Sequence, residues 1–250
     1  MNNEARMVAM SSGWRWIVDG FRLFRRQPLI WILLLGALML IGLVSTVLQP
    51  IGPLAISLLT PVFISGLMNA CRVTDRGGEP DIGHLFSAFR SHAAPLVTIG
   101  GVYLVGNIVA VGVVLMGAGN EALQVVLSRT RNEAAMAQAL RDLSSGLLSG
   151  TLVFMPVLMA VWFAPLLVVF RGMTPVAAMK SSLLACWRNL LPFTLYGAAI
   201  IVLWIIATIP LMLGLIVLLP VMVCSVYTAY LDLYGDDGGG EEAAPADTPA

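Results

Sequence analysis

The sequence predicts an all-α protein, a polytopic transmembrane helical bundle. Three observations lead there. Only 11% of the residues are charged and 58% are apolar, with a mean hydropathy of +0.89, whereas soluble domains carry about 25% charged residues. The charges cluster between long apolar runs, as in a chain whose main solvent is lipid. One pattern also occurs three times. An aromatic–arginine pair (Phe24-Arg25, Phe89-Arg90, Trp187-Arg188) is followed three to five residues later by a proline (Pro28, Pro95, Pro192) and an apolar run.

Taken in order, residues 1–12 are small and polar and are expected to be disordered. Residues 13–27 place apolar side chains at Trp14, Ile17, Val18, Phe21 and Phe24, the spacing of one helical face. Such a helix, rich in Trp, Phe and Arg, suits the membrane interface; packing on the protein's own cytoplasmic loops is the alternative. The first apolar run covers 29–48 and is kept as a mature span, because it is longer than the h-region of about 7–15 residues found in signal peptides. A second span, 54–71, follows a turn punctuated by Pro50 and Pro53.

Residues 72–90 form a polar connection in which Asp81 is placed to cap a short helix carrying Leu85, Phe86 and Phe89. Span three, 94–116, is rich in small residues. Gly106 and Ala110 form a small-xxx-small pair that lets helices approach closely in lipid, and Asn107 is expected to bond across helices or line a polar path. This span is expected to be the most protein-surrounded of the six. Residues 117–149 read as an extramembrane insertion of one or two amphipathic helices, with Leu123, Val126 and Leu127 on one face and Met136, Leu140 and Leu143 on another. Span four, 147–170, contains Pro156 and Pro165 and should be kinked. A connection over 171–188 starts a helix at Thr174-Pro175 that carries Met179, Leu183, Cys186 and Trp187. Residues 191–230 then hold two spans broken at Pro210 and Gly214. The whole membrane domain is 13–234, and the acidic tail, 235–250, is expected to be disordered.

The six spans therefore read as three parallel two-span repeats with interfacial amphipathic helices. Each second span carries a proline: Pro61, Pro165 and Pro220. Of fourteen basic residues, eleven lie in the N-terminus and the 72–90 and 171–188 connections. That side is expected to be cytoplasmic, with both termini. Arg25, Arg90 and Arg188 stand at equivalent points of the three units and would form a collar for anionic lipid or an acidic partner.

The stretches Gly13-Trp14-Arg15-Trp16, Phe24-Arg25-Arg26-Gln27-Pro28, Pro61-Val62-Phe63, Gly66-Leu67-Met68, Cys71-Arg72 and Leu218-Leu219-Pro220 resemble an uncharacterised family of bacterial six-span inner-membrane proteins. The layout is also similar to the membrane domain of some glycerophosphodiester phosphodiesterases. The resemblance implies fold and a bacterial inner-membrane location, and carries no catalytic residue.

Function is reached by weighing classes. His84 and His92 share one connection, and no HExxH or GxSxG motif is present, so no enzyme, cofactor or metal site is expected. Balanced charge, fourteen basic against fourteen acidic, argues against nucleic acid. Cys71, Cys186 and Cys224 read as packing residues rather than a disulfide framework. The central parts of the spans hold no ionisable residue, which disfavours a coupled transporter. A scaffold, assembly or regulatory membrane component is the leading expectation, with membrane lipids and another membrane protein as partners. The alternative is an uncoupled, permease-like path lined by Thr98, Tyr103, Asn107, Thr194 and Tyr196.

Overall fold

A computed structural model describes residues 5–49, 51–128 and 132–235, with only the backbone of 120–123, 126 and 127. Among the described residues there is no strand. Helices run in the order α1 (Ser12–Arg26), α2 (Pro28–Val47), α3 (Ile51–Asp75), a 3-10 turn (Ile82–Phe86), α4 (Ser87–Ser91), α5 (Ala93–Leu127), α6 (Glu133–Trp162), α7 (Ala164–Arg171), α8 (Pro175–Arg188), α9 (Leu190–Thr208) and α10 (Leu215–Tyr234). Six segments are long and apolar enough to cross a membrane: α2, α3, α5 as far as Gly119, α6 with α7, α9 and α10.

Spans α3 and α10 sit at the centre. In each, 44% of the most apolar stretch is buried, against 17% for α5. The expectation for span three is thus overturned. Its small residues permit close approach to two helices: Gly100 lies against the Leu58 carbonyl of α3, and Gly106, Ala110 and Gly117 face α6. There Gly106 meets Val157, and Ala110 and Val114 meet Gly150 of α6. A Cβ on Gly117 would stand 2.9 Å from the Gly146 Cα. The other faces of α5 remain open to lipid.

The same seam changes the reading of 117–149. It is no separate module: α5 bends at Gly119 (φ 70°), and α6 starts at Glu133, capped by the Asn132 side chain, and runs on without a break into the span. In the α6 part of this stretch the most buried positions are Ala139 and Gly146, while Met136 and Leu143 are half-buried and Leu140 is 53% exposed. Close backbone contact selects small side chains over large ones. The Leu123, Val126 and Leu127 side chains lie outside the described residues.

Helix α6 continues through Pro156, and the chain breaks at Phe163, just before Pro165. Proline lacks an N–H and its ring displaces the carbonyl four residues back. Ser182 of α8 covers the broken rung. Its hydroxyl accepts from the Phe163 N–H (3.0 Å) and donates to the Met159 carbonyl (2.7 Å). Helix α8 accordingly buries Ala178, Ser182, Ala185 and Cys186 and leaves Trp187 exposed.

Disorder over 1–12 does not hold from Ala5 onward. The Arg6 N–H donates to the Leu233 carbonyl (2.8 Å), and the Asn189 side chain accepts from Val8 N–H (2.9 Å) and donates to the Arg6 carbonyl (3.1 Å). These three bonds strap the segment to the junction of α8 and α9 and to α10, an outcome no local pattern announces. The tail beyond Gly235 lies outside the described residues.

Candidate functional site

Helix α1 organises one end of the bundle. It packs on spans rather than on loops, because Gly13 and Gly20 leave room for backbone contact. Gly13 lies against the Pro192 carbonyl, and a Cβ on Gly20 would stand 2.7 Å from the Ser225 nitrogen. The buried face is therefore Gly13, Trp16, Ile17, Gly20, Leu23 and Phe24, while Trp14 and Phe21 stay exposed. The Thr228 hydroxyl donates to the Trp16 carbonyl (3.0 Å), and the Trp16 indole donates to Asp232 (2.9 Å).

On the polar side of α1, Arg15, Asp19, Arg22 and Arg26 recur at helical spacing. Together with Arg6, Asp75 and Asp232 they line a cleft of about 510 Å³. Arg15 faces Asp232 (3.6 Å), Arg22 bonds Asp19 (2.7 Å), and Arg26 faces Asp75 (3.7 Å). Arg26 also donates to the Thr74 and Asp75 carbonyls (3.0 and 2.9 Å), covering the end of α3, where a cation is favoured by the helix dipole. Asp232 sits in the last turn of α10, where the dipole disfavours an acid; Trp16 and Arg15 offset that. The cleft is thus a patch of exposed opposite charges. Sequence reading found its arginines only as topology signals. The stripe on α1 was legible, but Arg6, Asp75 and Asp232 arrive from elsewhere in the chain.

The three collar arginines are all exposed in the last turn of their helices. Their surroundings differ. The Arg25 guanidinium lies 5.7 Å from the Phe21 ring centroid. Arg90 lies in the last turn of α4, next in sequence to Phe89, whose ring packs on Phe63 in a cluster with Phe86. Arg188 borders a pocket of about 210 Å³ shared with Lys180. Nearby, Asp81 caps the 3-10 turn as expected: it accepts from the His84 N–H (3.1 Å), and the His84 ring lies 2.8 Å from its carboxylate. That bond holds the Asp81 carboxyl below its ordinary range.

Within the spans, a cavity of about 300 Å³ lies among α3, α5, α6, α9 and α10. Tyr103, Thr60 and Trp162 reach it, as does Tyr196, whose hydroxyl is 2.7 Å from that of Ser225. Of the five polar residues expected to line a path, only Tyr103 and Tyr196 arrive there. Thr98 and Thr194 are exposed and bond their own backbone at Ala94 and Leu190. Asn107 is exposed on α5, and the expected interhelical bond does not form among the described residues. Gly106 and Ala110 pack on α6.

No protein-family model and no solved structure matches the chain. A protein of Burkholderia thailandensis named as a probable inner membrane protein is 30% identical over 225 residues, covering 88% of this chain and 82% of that protein. With this identity, this coverage and six apolar spans, the chain belongs to the family of that probable inner membrane protein.

Proposed function

We propose that this inner-membrane protein is a non-catalytic scaffold, assembly or regulatory component that meets its partner at the α1 end. The observation that carries the reading is the cleft of about 510 Å³, where four arginines and three aspartates line one open surface. Exposed ion pairs add little to stability, about 0–1 kcal/mol each. They are readily exchanged for pairs with a partner and give such a contact its register. The uncharged centres of the spans support the same reading.

The proposal places this end in the cytoplasm with both termini, because eleven of fourteen basic residues belong to it. Reporter fusions at Gly235 and between 132 and 145 test that: an active cytoplasmic reporter in the second position overturns it. It also includes the three-unit repeat and the likeness in layout to the membrane domain of some glycerophosphodiester phosphodiesterases. Both are supported by the succession of a short helix and two spans at α1–α3, α4–α6 and α8–α10.

A second reading, an uncoupled permease-like component, is favoured by the intramembrane cavity beside Tyr103 and Tyr196. Cross-linking with pull-down from native membranes, set against solute flux in proteoliposomes, separates the two. A stoichiometric partner lost on Asp232→Arg supports the scaffold. Flux that is abolished by Tyr103→Trp, with no partner recovered, supports the permease.

A further inference from the structure

On the face of α1 opposite the charged cleft runs an apolar groove of about 480 Å³ between α9 and α10. Trp14, Val18 and Phe21 form one wall, Leu203 and Ile206 of α9 another, and Val217 of α10 the third. Ala207, Leu218 and Val221 are buried at its floor. Both flanking helices are candidate spans, so the groove opens on hydrocarbon rather than water. Along α1 the stripe Trp14, Val18, Phe21 continues at helical spacing to Arg25. The apolar wall therefore ends in a cation.

That cation differs from its neighbours. The other arginines of α1 each face an acid: Arg15 with Asp232, Arg22 with Asp19 and Arg26 with Asp75. Among the described residues Arg25 has no carboxylate partner and rests on the Phe21 ring. An apolar groove alone would accept a partner helix as readily as a lipid. A groove that ends in an unmatched guanidinium is complementary to an amphiphile with an anionic head.

We infer that the groove holds an acyl chain of an anionic glycerophospholipid, whose phosphate is received by Arg25. Guanidinium and phosphate oxygens pair through charge-assisted hydrogen bonds. Trp14 and Phe21 are then the aromatic anchors that set the depth of the chain. The site is independent of whether the protein works as a scaffold or a permease.

The test uses the full chain in phosphatidylcholine vesicles and reads the fluorescence of Trp14 as wild type minus Trp14→Phe. Phosphatidylglycerol or phosphatidylcholine with brominated chains is titrated in as quencher. A basic residue near an anionic headgroup contributes about 1 kcal/mol, so quenching by the phosphatidylglycerol should reach its midpoint at about fivefold lower mole fraction. Arg25→Gln should remove that preference while leaving chain quenching in place. Arg90→Gln should leave it unchanged, and Val217→Phe, which narrows the groove from its rim, should weaken quenching by both lipids. Equal quenching by both lipids in the wild type, or a preference that survives Arg25→Gln, overturns the inference. So does absence of quenching, which would mean a protein occupant such as a second copy. Loss of the preference on adding glycerol 3-phosphate would assign Arg25 to a soluble anion and equally overturn it.

Discussion

Replacing Ser182 by Ala tests the packing argument most directly. The hydroxyl occupies the gap opened at Phe163 by Pro165 and serves both halves of the interrupted rung, Phe163 N–H and Met159 carbonyl. Ser182 is fully buried, so water cannot replace it. Leaving a buried backbone donor or acceptor unpaired costs about 1–3 kcal/mol. Cys186 lies 3.7 Å from the same carbonyl and keeps a weak contact, and side-chain hydrogen bonds inside membranes are worth only about 0.6–2 kcal/mol. The expected loss is therefore about 2 kcal/mol, mostly from the Phe163 N–H. Equilibrium unfolding in mixed micelles measures it. In a Pro165→Ala background the helix can close its own rung, so the cost of Ser182→Ala should fall by at least half. A loss below about 0.5 kcal/mol in the wild-type background, or an equal loss in both, refutes the reasoning.

Three further outcomes are expected. Gly20→Val forces the α1 backbone away from Ser225, at about 1–3 kcal/mol for overpacking, and should appear as faster trypsin cleavage at Arg15 and Arg22. Replacing Arg25, Arg90 and Arg188 together by Gln leaves eight of the eleven basic residues at the α1 end, so reporter-determined orientation should persist while co-purifying anionic lipid falls. Asp81 has a folded-state pKa below its ordinary 3.8, through its bond to His84. Its cap is therefore complete above that value and is lost as pH falls through the folded one, which amide exchange at His84 should register as lost protection in that acidic window only.

Sequence alone determined the elements set by composition and local chemistry. Apolar run length decides what can cross a membrane, so the six spans fall where the runs are. Asp81 as a cap and Pro175 opening α8 follow from groups within one turn of each other. The basic bias among the connections is likewise a linear property. Tertiary structure decided which faces meet, because in lipid every face of a span is apolar and hydrophobicity no longer distinguishes inside from outside. Span α5 looked central for its glycines but packs chiefly on α6, and Gly13 and Gly20 turned α1 so that Ile17 and Phe24 of the expected face are buried with Trp16 and Leu23 while Trp14 and Phe21 stay exposed. The same holds for the polar contacts. Ser182 reaches Phe163, Asn189 reaches Arg6 and Asp232 reaches Arg15 across 19, 183 and 217 positions of chain. Such pairs are chosen by the geometry of the assembled bundle, which brings an unsatisfied group in one helix against the side chain that completes it in another.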